Sequence, residues 1–162
     1  YSSAASDVYK RQGVYTLPEV WEDEFVSIQE RYKRGVFALD TALFLHDLTD
    51  RTPHKFHMAF PYGYNTSSPK AAGILCSCKK EPYYSLGIAL VDTPAGNTVR
   101  AYNAEKTLCE ILKPISHTDI QIITDAFKRY AGRKDKNIPL LSEYAHQLRV
   151  EKRLRPYLEV LL

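Results

Sequence analysis

The chain has 162 residues, 44% of them apolar, with 22 Lys and Arg against 19 Asp and Glu for a formal charge of +3. That length and composition suit one domain of ordinary size, or a domain plus a fragment, with a real core. No segment approaches the roughly 20 consecutive apolar residues of a membrane span, and no charged start followed by an apolar run marks a secretion signal, so a cytoplasmic protein with no membrane partner is expected.

The first twelve residues, YSSAASDVYKRQ, have no apolar periodicity and read as a non-native tail or adapter scar, the alternative being a native disordered arm. Glu19, Glu22, Asp23 and Glu24 then precede Phe25, Ile28 and Tyr32, which share one helical stripe. Arg31, Lys33, Arg34 and Gly35 close it, so a helix is predicted over 21–33. A second, buried helix is predicted over 40–48, with Asp40 as cap and Ala42, Leu43, Phe44, Leu45 and Leu48 leaving little polar face. Residues 49–53 break it at Pro53. Residues 55–60 alternate as a half-buried strand with Phe56, Met58 and Phe60 on one face.

The run YGYNTSSPKAA (62–72) reads as an exposed loop. Strands are predicted over 74–78, 83–91 and 98–102, the last two joined by a turn at Pro94-Ala95-Gly96-Asn97, with strand order and direction left open. Asn103 caps a helix over 104–112 that Pro114 stops. Thr118 and Gln121 form a capping-box pattern before a stripe of Ile120, Ile123, Phe127 and Tyr130 that ends near Gly132. Helices over 140–148 and 156–162 follow, with Pro156 in a first turn or at a kink. The fold class expected is α+β: a small mixed sheet packed with several α-helices, and a helical C-terminal part.

Signals for chemistry are weak. Cys76, Cys78 and Cys109 cannot all pair with one another and are expected as free thiols. With His54 and His57 they lack the spacing of a zinc site and read as small buried thiols and surface histidines. No G-x-S-x-G and no phosphate-binding glycine loop occurs, so neither a catalytic nucleophile nor a cofactor is expected. A nuclease-type enzyme is the alternative, resting on Asp92, Glu105 and Lys106. Against it, Glu105 suits the first turn of its helix and Lys106 reads as solvated.

The charge is uneven. From Lys128 onward nine basic residues face four acidic ones, which leaves about +5 there and about −2 elsewhere. Candidate positions for a basic surface meeting nucleic acid or another acidic partner are Arg31, Lys33 and Arg34, then Lys128, Arg129, Arg133, Lys134 and Lys136, then Arg149, Lys152, Arg153 and Arg155. Phosphate contacts of this kind give affinity without sequence information. Weak, non-specific, salt-sensitive DNA binding is the expectation.

The words RYKRG, TAL-LHDLTDRTP and FP-GYN (31–65), with TPAGNTVRAYNAEKTLCEIL (93–112), DIQIITDAFKRYAGRKDKNIPLLSEYA (119–145) and RVEKRLRPYLEVLL (149–162), resemble AbiEi-type antitoxins of abortive-infection, type IV toxin-antitoxin systems. The resemblance covers nearly everything from Gly13 onward. It implies a non-enzymatic phage-resistance antitoxin that neutralises a nucleotidyltransferase-like toxin, with or without a direct complex. In the full-length protein an N-terminal winged helix would repress the operon by binding its promoter DNA. On this likeness 13–37 is a remnant of the winged helix, with its wing at 13–16 plus a connecting helix, and 38–162 is the C-terminal antitoxin domain. Ala104 and Lys106 depart from the family pattern, which has a larger apolar residue and an arginine there.

Overall fold

The computed structural model describes residues 23–161, so the readings of 1–12, of the wing at 13–16 and of a helix start at Trp21 lie outside the described residues. Helix α1 (Glu24–Arg31) is capped by Asp23, whose carboxylate accepts from the Phe25 amide at 3.0 Å. The same carboxylate accepts from Thr93 and Asn97, tying the helix start to the distant 93–97 turn. Burial raises its pKa, but those hydrogen bonds prevail and hold it below the usual carboxylate range. Gly35 was expected as a helix stop. It instead lets chain segments meet, since a Cβ there would stand 2.6 Å from Met58 Cε.

Strand β1 (Val36–Phe37) is only two residues long and was not foreseen, yet it is central. The sheet order is β3-β2-β1-β5-β4, with β2 His57–Pro61, β3 Leu75–Lys79, β4 Ile88–Asp92 and β5 Thr98–Tyr102. The β1–β2 and β4–β5 pairs are antiparallel, and β1–β5 and β2–β3 are parallel, so the sheet is mixed. Period-two alternation puts Phe37, Met58, Phe60, Val99 and Ala101 in one buried cluster, and Val36, Ala59 and Tyr102 in another. The strand read as half-buried is therefore covered on both faces. Phe25 of α1 stacks on Phe56 at 4.7 Å and meets Phe37 edge-on at 5.4 Å, which builds Phe25, Tyr32 and Phe37 into one cluster with Met58, Phe60, Val99 and Ala101 of the sheet.

Helix α2 (Leu39–Leu45) starts one residue early and ends at Leu45, with Leu48 buried in the turn beyond. Asp40 does not cap it. Asp40 lies inside the first turn and accepts from the Thr41 amide, while burial pushes its pKa up. The presumed loop over 62–72 contains a short helix, α3 (Ser67–Ala71), anchored by buried Pro69. The presumed strand over 83–91 splits into a turn beginning at Lys80 and strand β4, because Tyr84 and Leu86 donate back to the carbonyls of Lys80 and Pro82.

Helix α4 (Ala104–Ile111) has Asn103 as its cap, and every residue in it is buried. A 3-10 turn (Pro114–Ser116) leads to α5 (Ile120–Ala131), where Asp119 rather than Thr118 accepts from the Gln121 amide. Ile123, Phe127 and Tyr130 face the core as expected, but Ile120 is 64% exposed. Helices α6 (Ile138–Leu148) and α7 (Glu151–Leu161) complete a C-terminal layer around α4, and Tyr157 stacks on Phe127 at 4.4 Å. Helix α7 starts five residues before Pro156, so that proline sits inside it rather than in its first turn. The fold is α+β, a five-stranded mixed sheet with a helical C-terminal part. Among the described residues no helix is long and apolar enough to cross a membrane.

Candidate functional site

Of the acidic constellation, Glu105 and Lys106 are buried inside the fold while Asp92 is exposed. Asp92 pairs with Thr98 at one end of the β4–β5 hairpin, whereas Tyr102, three residues before Glu105, pairs with Ile88 at the other. At about 3.4 Å per residue, four strand residues put more than 10 Å between those ends. Glu105 is buried and accepts from the Tyr130 hydroxyl at 2.6 Å, and that hydroxyl in turn accepts from the Asn137 amide at 2.7 Å. This carboxylate ties α4 to the α5–α6 connection.

Lys106 was expected in solvent and is fully buried at 0% exposure. Its ammonium donates to the carbonyls of Tyr83 at 2.8 Å and Leu86 at 3.0 Å and lies 3.8 Å from the centroid of the Tyr102 ring. Burial pushes its pKa down to about 8, against the pull of Glu110. No local signal marks this role, because its partners come from a turn some 20 residues upstream. Glu110, also buried, pairs with Lys79 of β3 at 2.7 Å.

The thiols are dispersed. Cys78 is exposed, Cys76 half-buried, and Cys109 buried with its thiol pushed up to about 12 by desolvation. The expectation of buried thiols thus fails for Cys78, which faces solvent on the edge strand β3. His54 is at the surface, but His57 is not. Its Nε2 is buried without a hydrogen-bond partner, and burial, then Lys79, lowers its pKa to about 4. Among the described residues no three His, Cys, Asp or Glu side chains gather as metal ligands.

The basic positions fall into three places. Arg31, Lys33 and Arg34 are exposed at the end of α1, with the Arg31 guanidinium 5.3 Å from the Tyr32 ring centroid. On α5 and after it, Lys128, Arg129, Lys134 and Lys136 are exposed, and Arg129 pairs with Asp125 one turn back at 2.9 Å. Arg133 is committed elsewhere. It forks onto Asp135 with two bonds of 2.9 Å and donates to the His46 carbonyl at 2.8 Å, locking the α5–α6 loop onto the end of α2. That fork holds the exposed Asp135 carboxyl below its usual range.

The third place has a concave shape. Arg149 closes α6 in the left-handed region (φ 61°), and the Val150 amide returns to the Ala145 carbonyl, so the chain reverses directly into α7. Pro82 and Tyr83 face this junction across an open groove of about 870 Å³ whose other wall carries His146, Arg149, Lys152 and Arg153. Arg155 is exposed further along α7. Lys106 fixes the Tyr83 side from below through the Tyr83 carbonyl. Tyr83, which the sequence offered only as a strand residue, is thus part of the site's frame.

No family model matches this chain, and no curated protein matches it.

Proposed function

We propose that this chain is the C-terminal, non-catalytic part of an AbiEi-type antitoxin. Acting in the cytoplasm, it would neutralise a nucleotidyltransferase-like toxin through its exposed basic surface, while a winged helix in the full-length protein represses the operon by binding DNA. The observation that carries this reading is the order and spacing of the words from RYKRG to RVEKRLRPYLEVLL along the chain. Two features of the site support a binding role over an enzymatic one. Glu105, Lys106 and Glu110 are buried and each engaged in a hydrogen bond or ion pair within the fold, whereas Asp92 is exposed.

The test is growth rescue in cells that express the cognate toxin. Reversing Lys128, Arg129 and Lys134 to glutamate together should abolish rescue while the purified variant keeps its far-UV spectrum, because all three side chains are exposed. Arg133 is left intact because it holds the α5–α6 loop. Unchanged rescue by the triple variant overturns the role of this surface. A toxin that is not a nucleotidyltransferase, or that no version of the chain suppresses, overturns the antitoxin reading itself.

A further inference from the structure

We propose that the groove between the turn at Pro82–Tyr83 and the α6–α7 junction, together with Tyr62, binds single-stranded nucleic acid. Arg149, Lys152 and Arg153 supply cations along one wall, and Tyr83 stands at the opposite lip with 39% of its surface exposed. Tyr62 is linked to the turn that carries Tyr83 through Lys80. It is 70% exposed, its amide donates to the Lys79 carbonyl, and the Lys80 ammonium lies 5.0 Å from its ring centroid. The turn that carries Tyr83 begins at that same Lys80, since the Tyr84 amide bonds the Lys80 carbonyl. Tyr83 and three cations therefore line one groove, and Lys80 links the Tyr62 ring to the turn that carries Tyr83.

The tyrosines decide which polyanion fits. Cations alone attract any phosphate backbone. A duplex keeps its base faces stacked inside and leaves exposed tyrosine rings unused, whereas a single strand offers phosphates and free base faces together. Stacking of a base on an aromatic ring contributes about 1–3 kcal/mol.

The turn is also held in place before any ligand arrives. Lys106 Nζ binds the carbonyls of Tyr83 and Leu86, and the Tyr102 hydroxyl binds that of Tyr84 at 2.7 Å. Little further ordering is needed on binding. One acid, Glu151, also lines the groove, with His146 Nδ1 3.2 Å from its carboxylate, and is outnumbered there by Arg149, Lys152 and Arg153; Glu81 next to the turn accepts from the Ser85 amide and hydroxyl. The proposal does not rest on the antitoxin reading, because binding by the purified chain requires no toxin.

Fluorescence anisotropy with the purified full chain tests it, using labelled oligouridine and oligothymidine of about 12 nucleotides, within the site size of a single-strand binding module, and a duplex of equal length. Either single strand should bind at least about fivefold more tightly than the duplex, a gap of about 1 kcal/mol. Binding of only one sugar type also supports the proposal and assigns the sugar. Tyr83→Ala should weaken binding by about fivefold to 150-fold, the equivalent of one lost stacked base, and Tyr83→Phe should retain it. Lys152→Glu with Arg153→Glu should weaken binding and flatten its salt dependence, and Lys55→Glu, at an exposed position that does not line the groove, should leave it unchanged. The proposal is overturned if neither strand binds, if the duplex binds as tightly, or if Tyr83→Ala has no effect while the cation variant does.

Discussion

Replacing Tyr130 with phenylalanine isolates the contact that makes Glu105 structural. The ring is fully buried, and its hydroxyl donates to Glu105 Oε2 at 2.6 Å, within the range of charge-assisted O–H···O⁻ bonds. Hydrogen bonds to charged groups contribute about 1.5–3 kcal/mol, and a buried acceptor left without its donor adds to the loss. The Asn137 amide loses its acceptor too, although Asn137 is exposed and water can replace it. Tyr130→Phe should therefore destabilise the fold by about 3 kcal/mol, which lowers the melting temperature by about 6–12 °C for a chain of this size. Urea denaturation followed by far-UV circular dichroism gives the value. Glu105→Gln and the double variant complete a cycle whose coupling should exceed about 1 kcal/mol. A coupling below about 0.3 kcal/mol, within the scatter of independent sites, would refute the structural role of Glu105.

Gly87 and Gly96 both adopt positive φ, at 83° and 90°, but only at Gly87 would a Cβ meet another side chain, Lys106 Cβ at 2.7 Å. Gly96→Ala should cost about 1–2 kcal/mol for the backbone conformation alone, and Gly87→Ala clearly more in the same thermal melts. Equal losses would show that Lys106 does not pack against this turn. His57 has a folded pKa near 4, below the ordinary 6.5 of an unfolded chain. Between those values the unfolded state binds a proton that the fold does not, so stability is full above pH 6.5 and falls toward pH 4, by about 3 kcal/mol at most. His57→Leu should flatten that part of the pH–stability curve, and an unaltered slope counts against the assignment. Lys79→Met leaves the Glu110 carboxylate buried without its cation and should cost about 3 kcal/mol in urea titrations. A loss below about 0.5 kcal/mol would place that pair among ordinary surface pairs.

Much of the chain's organisation was legible in local spacing. Asn103 caps α4 because an amide oxygen reaches the third residue of its own helix, and Phe56, Met58 and Phe60 share a face because strands alternate with period two. Both rules involve neighbours a few positions apart, so the sequence alone settles them. Strand β1 escaped because two residues are too few for a periodicity, although Val36 and Phe37 are central and fully buried. The fates of the charged residues escaped for a different reason. Nothing near Lys106 marks it as buried, nothing near Arg133 points to the His46 carbonyl 87 positions away, and Tyr83 joins the α6–α7 junction only through the folded chain. A cation's environment is set by whichever segments the sheet order brings against it, and that order is a property of the whole chain. The sequence by itself determined the α+β class and most helix positions. Tertiary structure alone decided which charges hold the core together and which remain at the surface.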